Sequence, residues 1–246
     1  MLPMYSRSRV LRSEQSECGT TLLELLIATA AGLIILSAAW QTLSFFHRQF
    51  SFQQSSIARQ QDLRLGLEVL EQEIHQAEAE SVSIMGQEEL EFGANVNGLV
   101  TTVSGPVASG QTSIRVDDGR GWPERKTIVI SWNNQNEVMT LARDGQRTLL
   151  TITQPVVTAI PTGASISVRN RVRYYSKQDD LGNKRLLRMV DGGASVLVGD
   201  LQAAKFSYWG EDGRTVSQPR HLKRVVVEVT LRGQGTKTIR EISLKS

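Results

Sequence analysis

The chain has 246 residues, 40% of them hydrophobic and 22% charged, an ordinary composition for a folded protein of one medium domain or two small ones. A formal net charge of +3 and an aromatic content of 6% supply neither the basic field nor the stacking surface that nucleic-acid binding needs. The single cysteine, Cys18, excludes an intramolecular disulfide and a multi-cysteine metal site.

Residues 1–19 are polar, with Arg7, Arg9 and Arg12 against Glu14 and Glu17. From Thr20 to Trp40 the chain reads TTLLELLIATAAGLIILSAAW, and apolar character persists through Leu43, Phe45 and Phe46. About 25 helical residues, at about 1.5 Å each, cover the ~30 Å hydrocarbon core of a bilayer. Residues 20–46 are therefore predicted to form a transmembrane helix. Arginines on its N-terminal side place that end in the cytoplasm. A cleavable secretory signal would end in small residues after its apolar region, and a lipoprotein anchor would carry its apolar stretch before the cysteine. Here the apolar run follows Cys18 and passes straight into a polar helix. Glu24 is the one charge in that run. An unpaired carboxylate in hydrocarbon is costly, which marks it as functional.

Residues 47–80 are polar and contain no proline. Leu63, Leu67, Leu70, Ile74 and Ala77 recur at alternating spacings of four and three, which places one apolar stripe on a helix. The stripe is expected to pack on the sheet that follows. Gln61, Arg64, Glu68, Glu71, Glu73 and Glu78 are expected on the polar faces. Between Gln53 and Asp62 only Ile57 and Ala58 are apolar, so this part is expected to stand clear of the globular region or to touch neighbouring subunits.

After a connection over residues 81–96, short alternating runs separated by Gly, Asn, Asp and Pro predict strands. In residues 97–170 these are TSIRV from Thr112, TIVISW from Thr127, EVMTLA from Glu137, TLLTIT from Thr148, and Ser165 to Val168. Asp144-Gly145 is predicted to be a hairpin turn. This stretch reads as an inserted β-rich subdomain, a small barrel or sandwich, with one larger continuous sheet as the alternative. In residues 171–246 the runs are VRYYS from Val172, RLLRMV from Arg185, SVLVGD from Ser195, KFSYW from Lys205, VVVEVTL from Val225 and TIREISL from Thr238.

Signatures of chemistry are sparse. His47, His75 and His221 have no ligand spacing, no nucleophile elbow occurs, and GRGWPERK from Gly119 lacks the spacing of a phosphate-binding loop. Asp179-Asp180-Leu181-Gly182-Asn183 reads as a tight turn rather than a calcium loop. Arg220, His221, Lys223 and Arg224 read as a solvated strand entrance. No enzymatic activity, metal or cofactor is expected.

The segment Cys18-Gly19-Thr20-Thr21-Leu22-Leu23-Glu24-Leu25-Leu26 resembles the leader and mature N-terminus of type IV pilins and type II secretion pseudopilins. It departs from the usual pattern in having Thr20 where Phe is common and Cys18 where Lys or Arg is common. The resemblance implies that a prepilin peptidase cuts between Gly19 and Thr20 and that Thr20 is then N-methylated. It also implies that Glu24 pairs with the N-terminal amine of an adjacent subunit, which neutralises the charge on assembly. Cys18 would leave with the leader, and a thiol-free mature protein suits an oxidising periplasm.

The implied fold is α+β and type IV pilin-like: a long N-terminal transmembrane and amphipathic helix packed on an antiparallel sheet, with a small inserted β domain. The pieces Arg171 to Ser176, Leu186 to Met189, Leu197 to Leu201 and Phe206 to Trp209 resemble the C-terminal region of PilW-type minor pilins and J minor pseudopilins. The expected function is that of a minor pilin in type IV pilus assembly or initiation. The implied partners are prepilin peptidase, other minor and major pilins, and the inner-membrane assembly platform. The expected location is the bacterial inner membrane, single-pass with a periplasmic globular domain, and then the pilus or pseudopilus. The alternatives are a J-type pseudopilin of a secretion system and a pilus-displayed adhesin or DNA-binding module.

Overall fold

The computed structural model of the protein describes residues 21–180, 182–233, 235 and 237–245. These fall into two compact units, the first ending at Ser56 and the second beginning at Ile57. One helix, α1 (Leu22–His75, 54 residues), supplies the first unit and enters the second. It contains no proline, so its backbone hydrogen bonding is unbroken.

In the first unit, Leu23, Ile27, Leu33, Ile35 and Trp40 are all exposed. The helix is long and apolar enough to cross a membrane. Three hydroxyls of its apolar stretch bond back to the backbone of the helix itself. Thr29 Oγ1 donates to the Leu26 carbonyl (3.0 Å), Ser37 Oγ to that of Ile34 (2.8 Å) and Thr42 Oγ1 to that of Ala38 (2.9 Å). A hydrocarbon environment demands such internal pairing.

The second unit is α+β. Its strands are β1 (Ile84–Met85), β2 (Glu89–Ala94), β3 (Val100–Thr102), β4 (Ser113–Arg115), β5 (Thr127–Trp132) and β6 (Gln135–Thr140). They continue with β7 (Leu149–Thr151), β8 (Ser165–Gln178), β9 (Lys184–Val190), β10 (Gly193–Trp209), β11 (Arg224–Leu231) and β12 (Lys237–Ser243). The main sheet runs β1-β2-β8-β9-β10-β11-β12, with β3 and β5 also on β8 and β6 on β5, while β4 and β7 form a separate pair. Every strand pairing is antiparallel.

Two hydrophobic cores result. In the first, Leu63, Leu67, Leu70 and Ile74 of α1 pack on Phe92, Tyr174, Phe206 and Val227. In the second, Ile114, Ile128, Ile130, Leu141, Leu150 and Ile166 pack together. β8 serves both. Its residues Ile166, Val168, Asn170, Val172 and Tyr174 are buried in alternation; the first two belong to the second core and the last two to the first. The strand runs without interruption through positions 170 and 171.

Several local expectations are corrected. α1 ends at His75 rather than near Glu80. The Ala77 carbonyl accepts the Lys245 N–H (3.0 Å) and Glu78 bridges Lys245 in parallel, so the chain leaves the helix to pair with the C-terminal segment. Asp144-Gly145 is not a hairpin turn. There the Glu124 N–H is bound by Asp144 Oδ1 (2.7 Å) and the Gly145 N–H donates to the Trp122 carbonyl (2.8 Å). The tight hairpins turn instead at Asn133-Asn134 (φ 44° and 61°) and Asp191-Gly192 (φ 50° and 96°), with the paired positive φ values that two-residue turns require. SVLVGD and KFSYW are one strand, β10, continuing through a bulge beside Leu201. Asp200 next to it has φ 54°.

α1 approaches β10 tightly at Gly66, where an added Cβ would lie 2.5 Å from Val198 Cγ2 and 3.1 Å from the Leu197 carbonyl oxygen. Alanine is the better helix former by up to about 1 kcal/mol, but overpacking costs about 1–3 kcal/mol. Gly66→Ala is expected to lower stability in denaturant unfolding of the detergent-solubilised protein. Unchanged or raised stability would show that the helix retreats freely from β10.

Candidate functional site

Of the residues expected to carry function, Gly19 and Thr20 lie outside the described residues, and Glu24 is in the first turn of α1. Glu24 Oε2 accepts from the Thr21 N–H (3.1 Å) and from Thr21 Oγ1 (3.4 Å), and Thr21 Oγ1 accepts from the Glu24 N–H (3.3 Å). This reciprocal pattern is a capping box. It satisfies two backbone donors that the helix start would leave orphaned, and it sets a negative charge at the positive end of the helix dipole. The signal, Thr-x-x-Glu before an apolar run, stands in the sequence but was overshadowed by the depth of the charge in the apolar segment. Glu24 therefore already has local work to do, and its carboxylate is presented, exposed, at the helix start.

A second polar constellation lies between α1 and the sheet. Glu73, expected on a polar face, is only 6% exposed. Arg188 Nε of β9 donates to both of its carboxylate oxygens (3.0 Å each), Arg188 Nη2 donates to Oε1, and the Tyr174 hydroxyl of β8 donates to Oε2. Burial pushes the Tyr174 hydroxyl pKa strongly upward, reinforced by the Glu73 charge, so the phenol stays a donor. The bond to Glu73 raises the Arg188 pKa. Both Glu73 oxygens, the Tyr174 hydroxyl and Arg188 Nε and Nη2 bond within the trio, which makes it a clamp between helix and sheet. Helical periodicity alone missed it, because the stripe of apolar residues does not report a carboxylate beside it. Removing one member of a buried pair costs about 3–5 kcal/mol, while replacing both with apolar groups is often neutral. Glu73→Leu is expected to destabilise the fold by that order, with Glu73→Leu/Arg188→Leu recovering much of it in urea unfolding. Equal losses in the single and double variants would refute the clamp.

A third cluster joins the surroundings of the two cores. Asp191, in the β9–β10 turn, accepts from Lys126 Nζ, from Asn170 Nδ2 (2.8 Å) and from the Arg171 N–H (2.8 Å). Asn170 is fully buried and its Oδ1 accepts from the Val96 N–H (3.2 Å). Burial pulls the Asp191 pKa up, but the bonds from Lys126, Asn170 and the Arg171 N–H outweigh it and hold it below the ordinary aspartate value. A depressed folded pKa stabilises above the unfolded value of about 3.9 and loses that contribution as pH falls through the folded value. Asp191→Asn, which tolerates the positive φ at this position and removes the charge, is expected to cost about 1–3 kcal/mol near neutrality. In unfolding measured across pH, its gap to the wild type should stay constant above about pH 5 and close below about pH 4; a gap that persists in acid would exclude the carboxylate as its source.

The remaining sequence candidates stand apart from these clusters. Asp179 Oδ1 accepts from the Asn183 N–H (2.7 Å) and Oδ2 from Arg185 (2.9 Å), so its oxygens already serve the turn. His75 Nδ1 donates to the Ser243 carbonyl (2.9 Å). Arg220 and His221 lie in a short 3-10 turn (Pro219–His221) and Arg224 pairs with Glu241. Among the described residues no group of three or more His, Cys, Asp or Glu side chains is placed to hold a metal ion. Compared with family models, with curated proteins and with solved structures, the chain matches none.

Proposed function

We propose that the protein is a minor subunit of a type IV pilus, an assembly component with a type IV pilin-like fold. The observation that carries the reading is the order of features along one helix. A polar leader ends at Gly19, an apolar segment carries a single acid at Glu24, and the same helix continues into a Leu63–Ile74 stripe seated on an antiparallel sheet.

On this reading the apolar half of α1 stores the subunit in the bacterial inner membrane, with the globular unit in the periplasm. Prepilin peptidase cleaves after Gly19 and frees the amine of Thr20, which is the expected site of N-methylation. The Glu24 carboxylate then accepts the ammonium of a neighbouring subunit. A carboxylate in hydrocarbon needs such a partner, and a short contact to a cation is strong where water is excluded. The globular unit, presenting the β-sheet and the second core, supplies contacts to other minor and major pilins at the filament or its tip.

The capping box makes the decisive variant Glu24→Gln. A glutamine at this position keeps a capping-box acceptor and removes the charge. Glu24→Gln is expected to insert in the membrane and be cleaved at the wild-type rate, but to yield no assembled filaments. Filaments at wild-type number would assign Glu24 to helix capping alone. The function itself is tested in a clean deletion strain scored for surface pili by electron microscopy and for exported proteins in the medium. Loss of pili with normal export is the expected result, whereas normal pili with blocked export would make the protein a secretion pseudopilin.

A further inference from the structure

The main sheet has an open backbone edge of unusual composition. β10 pairs with β9 from Gly193 to Leu201 on one side, and with β11 from Leu201 to Trp209 on the other. β11 stops at Leu231, and the chain turns away where the Arg232 N–H donates to the Asp200 carbonyl (3.0 Å). Among the described residues nothing pairs with the outer side of β10 from Gly193 to Gly199. In an antiparallel strand, alternate N–H and C=O groups point away from the paired neighbour, so β10 presents a free hydrogen-bonding row from Gly193 to Val196, where its register with β9 is unbroken; the register shifts past Val196 and again before Leu201. It lies in line with β11, where the sheet already accepts a strand on that side.

Native edges are normally blunted by charge, proline or brevity. The terminal strand β12 follows that rule: Lys237, Arg240 and Glu241 stand among its seven residues. The β10 edge reads GASVLVG from Gly193 to Gly199 and carries no charge and no proline. Val196 there is 53% exposed. Beside it, a groove of about 430 Å³ runs between β10 and α1, lined by Leu65 and Val69 (60% and 37% exposed), Gly66 and Asp62. A free backbone row flanked by an apolar groove is the arrangement by which a sheet takes up an added strand, with the ladder giving affinity and alternate side chains filling the groove.

We propose that this edge is a strand-acceptor site for an extended segment of another polypeptide, with alternating apolar residues and a basic residue opposite Asp62. Charge complementarity sets the last feature, since Asp62 is, among the described residues, the one charged side chain lining the groove. Continuity with the β10–β11 ladder sets the first. A filament neighbour would be one source of such a segment, but the site rests on the edge itself and needs neither cleavage nor assembly.

The test uses the full-length protein in detergent and a fluorescent acetyl-Lys-Thr-Val-Thr-Val-Thr-Val-amide peptide, read by anisotropy and by amide hydrogen exchange. Saturable binding that slows exchange over Ala194–Gly199 is expected. Val196→Lys and Leu65→Lys should each weaken it at least tenfold. Both side chains are exposed, so neither change should disturb the fold, which thermal unfolding would check. Ile239→Lys, at an equally exposed position on β12 (53%), should leave binding unchanged. Absence of saturable binding, protection on β12, or indifference to Val196→Lys would overturn the proposal. Protection of the edge that grows with protein concentration and without peptide would overturn it in favour of a second copy of this chain.

Discussion

The backbone ladder of β8 is the constraint on which the globular unit depends. One strand of 14 residues pairs with β3 and β5 along its first half and with β2 and β9 along its second. A period-2 strand keeps one face inward throughout, so the inward residues of β8 must serve whichever core lies below them. The change of core falls at Asn170, a polar residue that is fully buried. Its side chain is partnered at both ends, Oδ1 accepting from Val96 and Nδ2 donating to Asp191, which lets an amide sit at the seam of two apolar clusters without leaving either polar atom unpartnered. Asp191 brings in Lys126, the residue before β5, so the same seam is closed from three directions.

Helix α1 meets the sheet under a different regime. Apolar packing of Leu63, Leu67, Leu70 and Ile74 supplies most of the attraction, but such packing alone tolerates sliding. The Glu73 clamp and the close approach at Gly66 remove that freedom, one by directional bonds and the other by shape. A surface pair, Arg59–Asp200 (2.9 Å), adds a further tie to the bulge of β10, of modest worth at its exposure. The close approach at Gly66 falls on Leu197 and Val198, within the open half of β10.

Much of this was legible from residue order. The apolar run, the Leu63–Ile74 stripe and the strand TIVISW appear as read, because periodicity and burial are governed by the same geometry. What escaped reading was long-range or competitive. Asp144-Gly145 and Asp191-Gly192 are the same dipeptide, yet only the second is the whole two-residue link between paired strands, while the first lies inside a longer loop closed by Leu141 and Ile152. Asn133-Asn134 lacks glycine altogether and still turns a hairpin, since asparagine tolerates the left-handed region. Gly199-Asp200 looks like a terminator but is absorbed as a bulge. Glu73 reads as solvent-facing until Arg188 and Tyr174, more than a hundred residues away, are placed above it. At the site itself, the Thr21–Glu24 box is local and readable, whereas the pairing proposed for Glu24 with a neighbour is a matter of chemistry between chains.

The continuity of β8 also has a mechanical meaning. A pull applied to the second core travels along the strand axis into the first, and the hydrogen bonds to β2 and β9 lie across that direction. They are loaded together, in shear, and must yield as a group rather than one by one. A hinge at residue 170 would instead have let the two cores peel apart bond by bond. The unbroken strand makes the second core a rigid extension of the first, fit to carry tension from an outer contact to the sheet on which α1 is seated.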